Sequence, residues 1–223
     1  MAIFDGYASD YDGWYQGKKG SFVDDVETGL VFKLLEIKSG MKILDFGCGT
    51  GNFSIKLVKM GCKVTGVDVS SEMLKIARAK AIKQGLDIEF AQCDIDALAP
   101  ADTNYDAAVS LATFEFIKNP LNTLTQLFGV VKSGGKVLVG TIAKDSEWGK
   151  LYESEDSRNN SVFKYANFWT LQDMTSWEKD RLLDAGECLF IHPLAKEDEF
   201  CVERENELRG KRKGGFICAL WKK

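Results

Sequence analysis

Short β-rich runs of apolar residues alternate along this chain with longer stretches whose apolar positions recur every three or four residues. Such alternation predicts a parallel sheet with helices on both faces. Residues 41–46 read as the first strand, and the helix after them, 52–60, sets Phe53, Leu57 and Met60 at helical spacing before Gly61 stops it. Residues 63–67 form a second strand that ends at Asp68. Ser70 and Ser71 are candidate N-caps, with Glu72 close behind, for a helix carrying Met73, Leu74, Ile76, Ala77 and Ala81 to about Gln84, where Gly85 stops it. Residues 88–92, 105–111 and 135–142 read as the third, fourth and fifth strands. Between the last two, 120–131 fits a helix, with Ser133-Gly134-Gly135 as the return turn.

After the fifth strand the rhythm breaks. Residues 143–168 are largely polar, carry Trp148, Tyr152, Phe163, Tyr165 and Phe168, and show no sheet periodicity, which makes them a candidate lid. A helix over 171–185 is expected next, then a strand near 188–192 and a final strand over 215–221. The charged loop between those two strands would make them an antiparallel hairpin.

The chemistry concentrates where the first strand ends. In Ile43-Leu44-Asp45-Phe46-Gly47-Cys48-Gly49-Thr50-Gly51-Asn52 an acid precedes a turn with glycine at every second position. Backbone that turns sharply against a ligand needs positive φ or has no room for a Cβ. A dinucleotide fingerprint would read G-x-G-x-x-G, but Asn52 stands where its third glycine belongs. Asp45 also puts negative charge beside a helix N-terminus that a pyrophosphate would want. A cationic or zwitterionic ligand suits the loop better; another kind of nucleotide-binding turn and a purely structural turn remain open.

The run from Leu44 to Gly51 resembles the first motif of class I S-adenosylmethionine-dependent methyltransferases, the small-molecule type. The resemblance implies an α/β, Rossmann-like doubly wound sheet of seven strands in the order 3-2-1-4-5-7-6, with the last strand antiparallel. It also implies S-adenosyl-L-methionine as cofactor, with Gly47, Cys48 and Gly49 beneath its methionine part and Asp45 answering its ammonium and sulfonium charges. Asp68, at the end of the second strand, would hold the ribose hydroxyls; its alternative is an acid that favours the helix dipole. Asp94 would accept the adenine amino group, ahead of Asp96, with Ile95 against the ring and Val69 and Met73 on its other face, a core role for Met73 being the alternative. Leu111, in Ser110-Leu111-Ala112-Thr113-Phe114-Glu115-Phe116, would offer a backbone carbonyl to the methionine ammonium, and Phe116 would pack nearby or in the core. The aromatic N-terminal stretch is similar to the entry helix of small-molecule methyltransferases, so Tyr11 and Tyr15 are candidates for the methionine end or the acceptor, the alternative being that these rings anchor an N-terminal helix to the core.

One domain over residues 1–223 is therefore expected: a covering arm and helices (1–38), a cofactor-binding core (41–142), the lid (143–168), and a C-terminal helix and hairpin (169–223). Methyl transfer from a sulfonium is an in-line displacement, and a general base is required only for an acceptor that arrives protonated. Glu115, Tyr11, Tyr15 and His192 are the candidates, and none is assigned a catalytic role.

Composition narrows the substrate. With 29 Lys and Arg against 33 Asp and Glu, the net charge of −4 has the wrong sign for affinity built on phosphate contacts, so nucleic acid is not expected. The basic cluster Arg209-Gly210-Lys211-Arg212-Lys213 follows an acidic stretch and reads as a solvated loop. The Asn/Asp-Pro-Pro-Tyr pattern of enzymes that methylate base or glutamine amino groups is missing. The six cysteines are widely spaced and read as free thiols, with Cys48 a small residue in a tight turn. No metal site is expected, as one histidine and no C-x-x-C give it little support. No run of about 18 apolar residues is present, and the N-terminus lacks the features of a secretion signal, so the expectation is a cytoplasmic protein without membrane contact. The leading function is methyl transfer to a small organic acceptor at O, N, C or S. A non-catalytic nucleoside-cofactor-binding module and a nicotinamide-dependent oxidoreductase are the alternatives, the latter lacking a Tyr-x-x-x-Lys pattern.

Overall fold

A computed structural model describes residues 2–94 and 104–223. Its sheet has seven strands, β1 (Lys42–Phe46), β2 (Lys63–Asp68), β3 (Glu89–Gln92), β4 (Tyr105–Leu111), β5 (Val131–Ile142), β6 (Leu182–Cys188) and β7 (Phe216–Lys222), in the spatial order β3-β2-β1-β4-β5-β7-β6. The pairs from β3 to β5 are parallel, whereas β7 runs antiparallel to both β5 and β6. This is the strand order that the family resemblance implied.

The central strands are apolar on both faces because each face is covered. Ile43, Ala107, Val109, Leu138, Cys218 and Leu220 pack on one side with helix α2 (Lys18–Leu35), which follows the short α1 (Ala8–Tyr11), and with α3 (Asn52–Lys59). Their neighbours Leu44, Ala108, Val137, Val139, Ala219 and Trp221 face the opposite core, which Leu124, Leu127 and Phe128 of α5 (Pro120–Val130) help to fill. Helix α4 (Ser71–Lys83) starts where the sequence places it, since Ser70 Oγ accepts the N–H of Met73 at 3.1 Å. At α5, Asn119 caps the N–H of Asn122 at 3.2 Å and Pro120 occupies the first turn.

Three expectations need correction. The fifth strand begins at Val131, directly after α5; Ser133-Gly134-Gly135 is an irregularity within it, where pairing jumps from Tyr105–Val131 to Ala107–Lys136 and Gly134 takes a φ of 75°. Residues 143–168 are helical in part, through α6 (Glu147–Glu153) and α7 (Glu155–Asn160), capped by Ser146 and Ser154.

The helix expected over 171–185 stops far earlier: α8 spans Leu171–Ser176, opened by a Thr170–Asp173 capping box. Trp177 ends it, because its carbonyl accepts the indole N–H of Trp221 at 2.8 Å, and the following residues enter β6 beside β7. Leu182 and Leu183 prolong the helical spacing on paper, but β7 offers an open edge, and pairing with it wins.

The strand expected at 188–192 is therefore displaced to 182–188. Leu189 (φ 69°), Phe190 and Ile191 are buried without sheet pairing, and a side chain supplies the missing partners. Glu205, on an unexpected helix α9 (Val202–Leu208) in the charged loop, accepts the N–H groups of Leu189 at 2.6 Å and Phe190 at 2.8 Å.

Candidate functional site

The turn between β1 and α3 is shaped by Gly47, Gly49 and Gly51, all with positive φ. A Cβ at Gly47 would stand 2.2 Å from Thr113 Oγ1, so no other residue fits between this turn and the end of β4. At Gly49 nothing lies within 4 Å of the position a Cβ would take, which leaves open space against the backbone. The N–H groups of Gly47 and Cys48 donate to the carbonyl of Val67, at 2.8 and 3.0 Å. Asp68 completes the frame: Oδ2 accepts the N–H of Gly49 and Oδ1 that of Ser70, both at 2.8 Å.

These groups form one wall of a cavity of about 750 Å³, within the size range of small-molecule sites. The structure brings Tyr11, Tyr15, Asp45, Gly47, Cys48, Gly49, Asp68, Val69, Met73, Asp94 and Leu111 to this one cavity. Ile95 and Asp96 lie outside the described residues. Phe116 also lines the cavity, whereas Glu115 is buried behind it and His192 stands at the surface, 3.6 Å from Glu147.

The N-terminal segment crosses the cavity and is fastened at three places. Asp5 accepts the hydroxyl of Ser70 at 2.7 Å. Asp12 accepts Thr50 Oγ1 at 2.7 Å, Asn52 Nδ2 at 3.0 Å and Lys80 Nζ at 2.7 Å. Phe4 meets Phe116 edge to face, with ring centroids 4.9 Å apart. Beneath the arm, the hydroxyls of Tyr11 and Tyr15 are 3.4 Å apart.

Burial governs the charges. Asp45 is 2% exposed, accepts the Ser54 hydroxyl at 2.5 Å, and is pushed up to about 7 by desolvation despite that bond. It therefore also joins β1 to α3, a structural duty absent from the sequence reading. Desolvation likewise raises Asp68, against the lowering effect of its backbone donors Ser70, Gly49 and Val69. Burial pushes the Cys48 thiol well above its usual range, which keeps it protonated, and all six cysteines are free.

Several wall residues escaped the sequence reading, among them Asp24, Glu27 and Thr28 on α2, whereas Ala112 and Thr113, also on the wall, belong to the run after β4 that the family resemblance singled out. Ala112 holds a φ of 49°, a strained backbone at the cavity edge. Glu27 had a legible signal: it falls four residues after Val23 and four before Val31, both buried, so an acid interrupts the helix's apolar stripe.

The model of the methyltransferase domain family matches residues 37–187, which include the glycine turn, five of the seven strands and all but the last residue of β6. The chain belongs to the S-adenosylmethionine-dependent methyltransferases. An uncharacterised protein of Methanocaldococcus jannaschii is 30% identical to this methyltransferase over 97% of each chain. A ubiquinone biosynthesis O-methyltransferase of Coxiella burnetii is 30% identical over 74% of this chain and 73% of its own. Among solved structures, a methyltransferase of Thermotoga maritima, described as a possible histamine N-methyltransferase, superposes with a TM-score of 0.74 at 24% identity, covering 99% of this chain and 98% of its own. That likeness concerns the fold.

The residues present fit the cofactor of this methyltransferase. Open space beside the Gly49 backbone, a carboxylate at the end of β2 and the further acids Asp24, Glu27, Asp45 and Asp94 on the cavity wall suit a nucleoside that carries positive charge. Among the described residues no helix is long and apolar enough to cross a membrane.

Proposed function

We propose that this enzyme methylates a small organic acceptor, held in the same cavity as its cofactor. One observation carries the reading: the cavity runs without interruption from Asp68 and Asp94 to Tyr11, Tyr15 and α2, beneath an arm pinned by Asp5 and Asp12. A covered, aromatic-walled space favours a small acceptor over a macromolecular one.

In this reading Asp68 accepts the ribose hydroxyls, Asp94 the adenine amino group, and Val69 and Met73 cover the base. The Leu111 carbonyl, already an acceptor for Thr113 Oγ1 at 3.1 Å, keeps a second lone pair for the methionine ammonium. Gly47, Cys48 and Gly49 border the methionine part, with Asp45 behind them, a carboxyl that carries negative charge only above about pH 7. When bound, S-adenosylmethionine supplies an electrophilic methyl group on a sulfonium. The protein's part is to hold the acceptor in line with that group and to exclude water, a positioning effect worth up to ~7–11 kcal/mol.

Tyr11 and Tyr15 border the acceptor. Burial raises both phenols above their ordinary range, so they are hydrogen-bond donors at neutral pH and not bases. Calorimetry with S-adenosylhomocysteine and with NAD tests the cofactor side, and binding of NAD alone would reject it. Release of S-adenosylhomocysteine from S-adenosylmethionine across a panel of small acceptors tests the transfer.

A further inference from the structure

Glu27 stands on α2 at the cavity wall, beside Tyr11 and Tyr15, and makes no hydrogen bond or ion pair among the described residues. Its neighbour Asp24 is different: it is neutralised by Lys56 at 2.7 Å. An ionisable side chain within this helix stripe is costly to place there, and Lys56, already paired with Asp24, does not fully repay that cost. A group of opposite charge inside the cavity would.

The surroundings select what that group is. Glu27 acts electrostatically on both Tyr11 and Tyr15, and the same cavity is lined by the rings of Phe4 and Phe116; aromatic faces attract cations. The other charged groups that act on Glu27 are Asp24, Glu115 and the opposing Lys56, so the local balance is acidic. Resting on the methyltransferase reading above, we propose that Glu27 receives the ammonium group of a primary or secondary amine acceptor and takes its proton before methyl transfer.

The step balances. An N–H bond of the ammonium breaks and an O–H bond forms on the Glu27 carboxylate, leaving the electron pair on nitrogen. That pair forms the new N–C bond as the methyl–sulfur bond breaks with its electrons retained by sulfur, and the proton stays on Glu27 until it leaves with solvent.

An ordinary glutamate is a weak base for this task. Desolvation, with Asp24 and Glu115 adding repulsion and Lys56 opposing, pushes Glu27 up to about 8, much closer to an alkylammonium, and the carboxylate that receives the ammonium is the predominant form above about that pH. The remaining candidates are placed otherwise. Tyr11 and Tyr15 stay protonated, Asp45 is engaged by Ser54, and neither Glu115 nor His192 lines the cavity.

The test uses the full chain with S-adenosylhomocysteine bound and 2-phenylethylamine as probe, alongside catechol and 2-mercaptoethanol. Calorimetry should show that the parent complex binds the amine, and that Glu27→Gln abolishes this while keeping its affinity for S-adenosylhomocysteine. With S-adenosylmethionine, mass spectrometry should find methyl on nitrogen, with kcat/KM lowered about 100-fold in Glu27→Gln and partly restored in Glu27→Asp.

The proposal is overturned if the parent complex does not bind the amine, if only catechol or the thiol is methylated, or if Glu27→Gln handles the amine as the parent does. Loss of S-adenosylhomocysteine affinity in Glu27→Gln would also overturn it, by placing Glu27 against the cofactor. Failure of the parent to bind S-adenosylhomocysteine would be a different result, against the cofactor reading itself.

Discussion

The backbone N–H of Gly49 meets Oδ2 of Asp68 at 2.8 Å, so the turn after β1 and the end of β2 are tied by a carboxylate that also faces the cavity. Asp68→Ala should weaken S-adenosylhomocysteine binding by ~1–3 kcal/mol, through lost hydroxyl acceptance and a loosened turn. Asp68→Asn should do no better. Its amide nitrogen would face either the Gly49 or the Ser70 N–H, donor against donor. Unchanged affinity in both variants, by calorimetry, would reject the ribose role.

Gly47 tests the turn from its other side. Gly47→Ala must hold a φ of 74° and displace Thr113, so the fold should lose ~1–3 kcal/mol in urea unfolding and cofactor affinity should fall with it. Adding Thr113→Ala should recover part of the loss, because the clash is relieved while the backbone strain remains.

Asp45 makes stability depend on pH with a definite sign. Its carboxyl titrates near 3.8 when unfolded and about 7 when folded, so the native state keeps a proton that the unfolded chain releases as pH climbs from about 4 to 7. The native state's advantage is complete below about pH 4, is lost progressively up to pH 7, and changes no further above it. Asp45→Asn keeps an oxygen to accept the Ser54 hydroxyl and removes the titration. In urea melts of the cofactor-free protein it should exceed the parent by on the order of 1–4 kcal/mol at pH 8.5, with the gap closing toward pH 4.

Asp12 is the fastening of the arm most open to test. Its carboxylate takes three donors from the β1–α3 turn and from α4, and these hold it below its usual range despite burial. Asp12→Ala should release the arm, costing ~1–3 kcal/mol locally. Limited proteolysis should then cut within residues 1–17, and S-adenosylhomocysteine should dissociate faster in stopped flow while urea unfolding of the remainder stays near that of the parent. Deleting residues 1–15 should produce the same kinetic effect, and an unaltered dissociation rate would rule out a covering role.

What the sequence by itself determined is local or periodic. The strands from β1 to β4 read directly because each is a short β-rich run set between helical stretches, and helices α3 and α4 because Gly61, Gly85 and Ser70 punctuate them. The glycine turn declared itself because positive φ and close approach leave few residue choices. Only the tertiary structure decided the C-terminal third. Residues 177–188 follow the edge of β7 and the Trp221 indole, and the apolar run 189–191 does without a strand because Glu205 supplies its hydrogen-bond acceptors. The cavity likewise joins Glu27, Asp12 and Thr113 to the turn across 20 to 66 residues of chain. Such contacts arise from packing between elements, and a spacing rule along one element carries no information about which distant face will meet it.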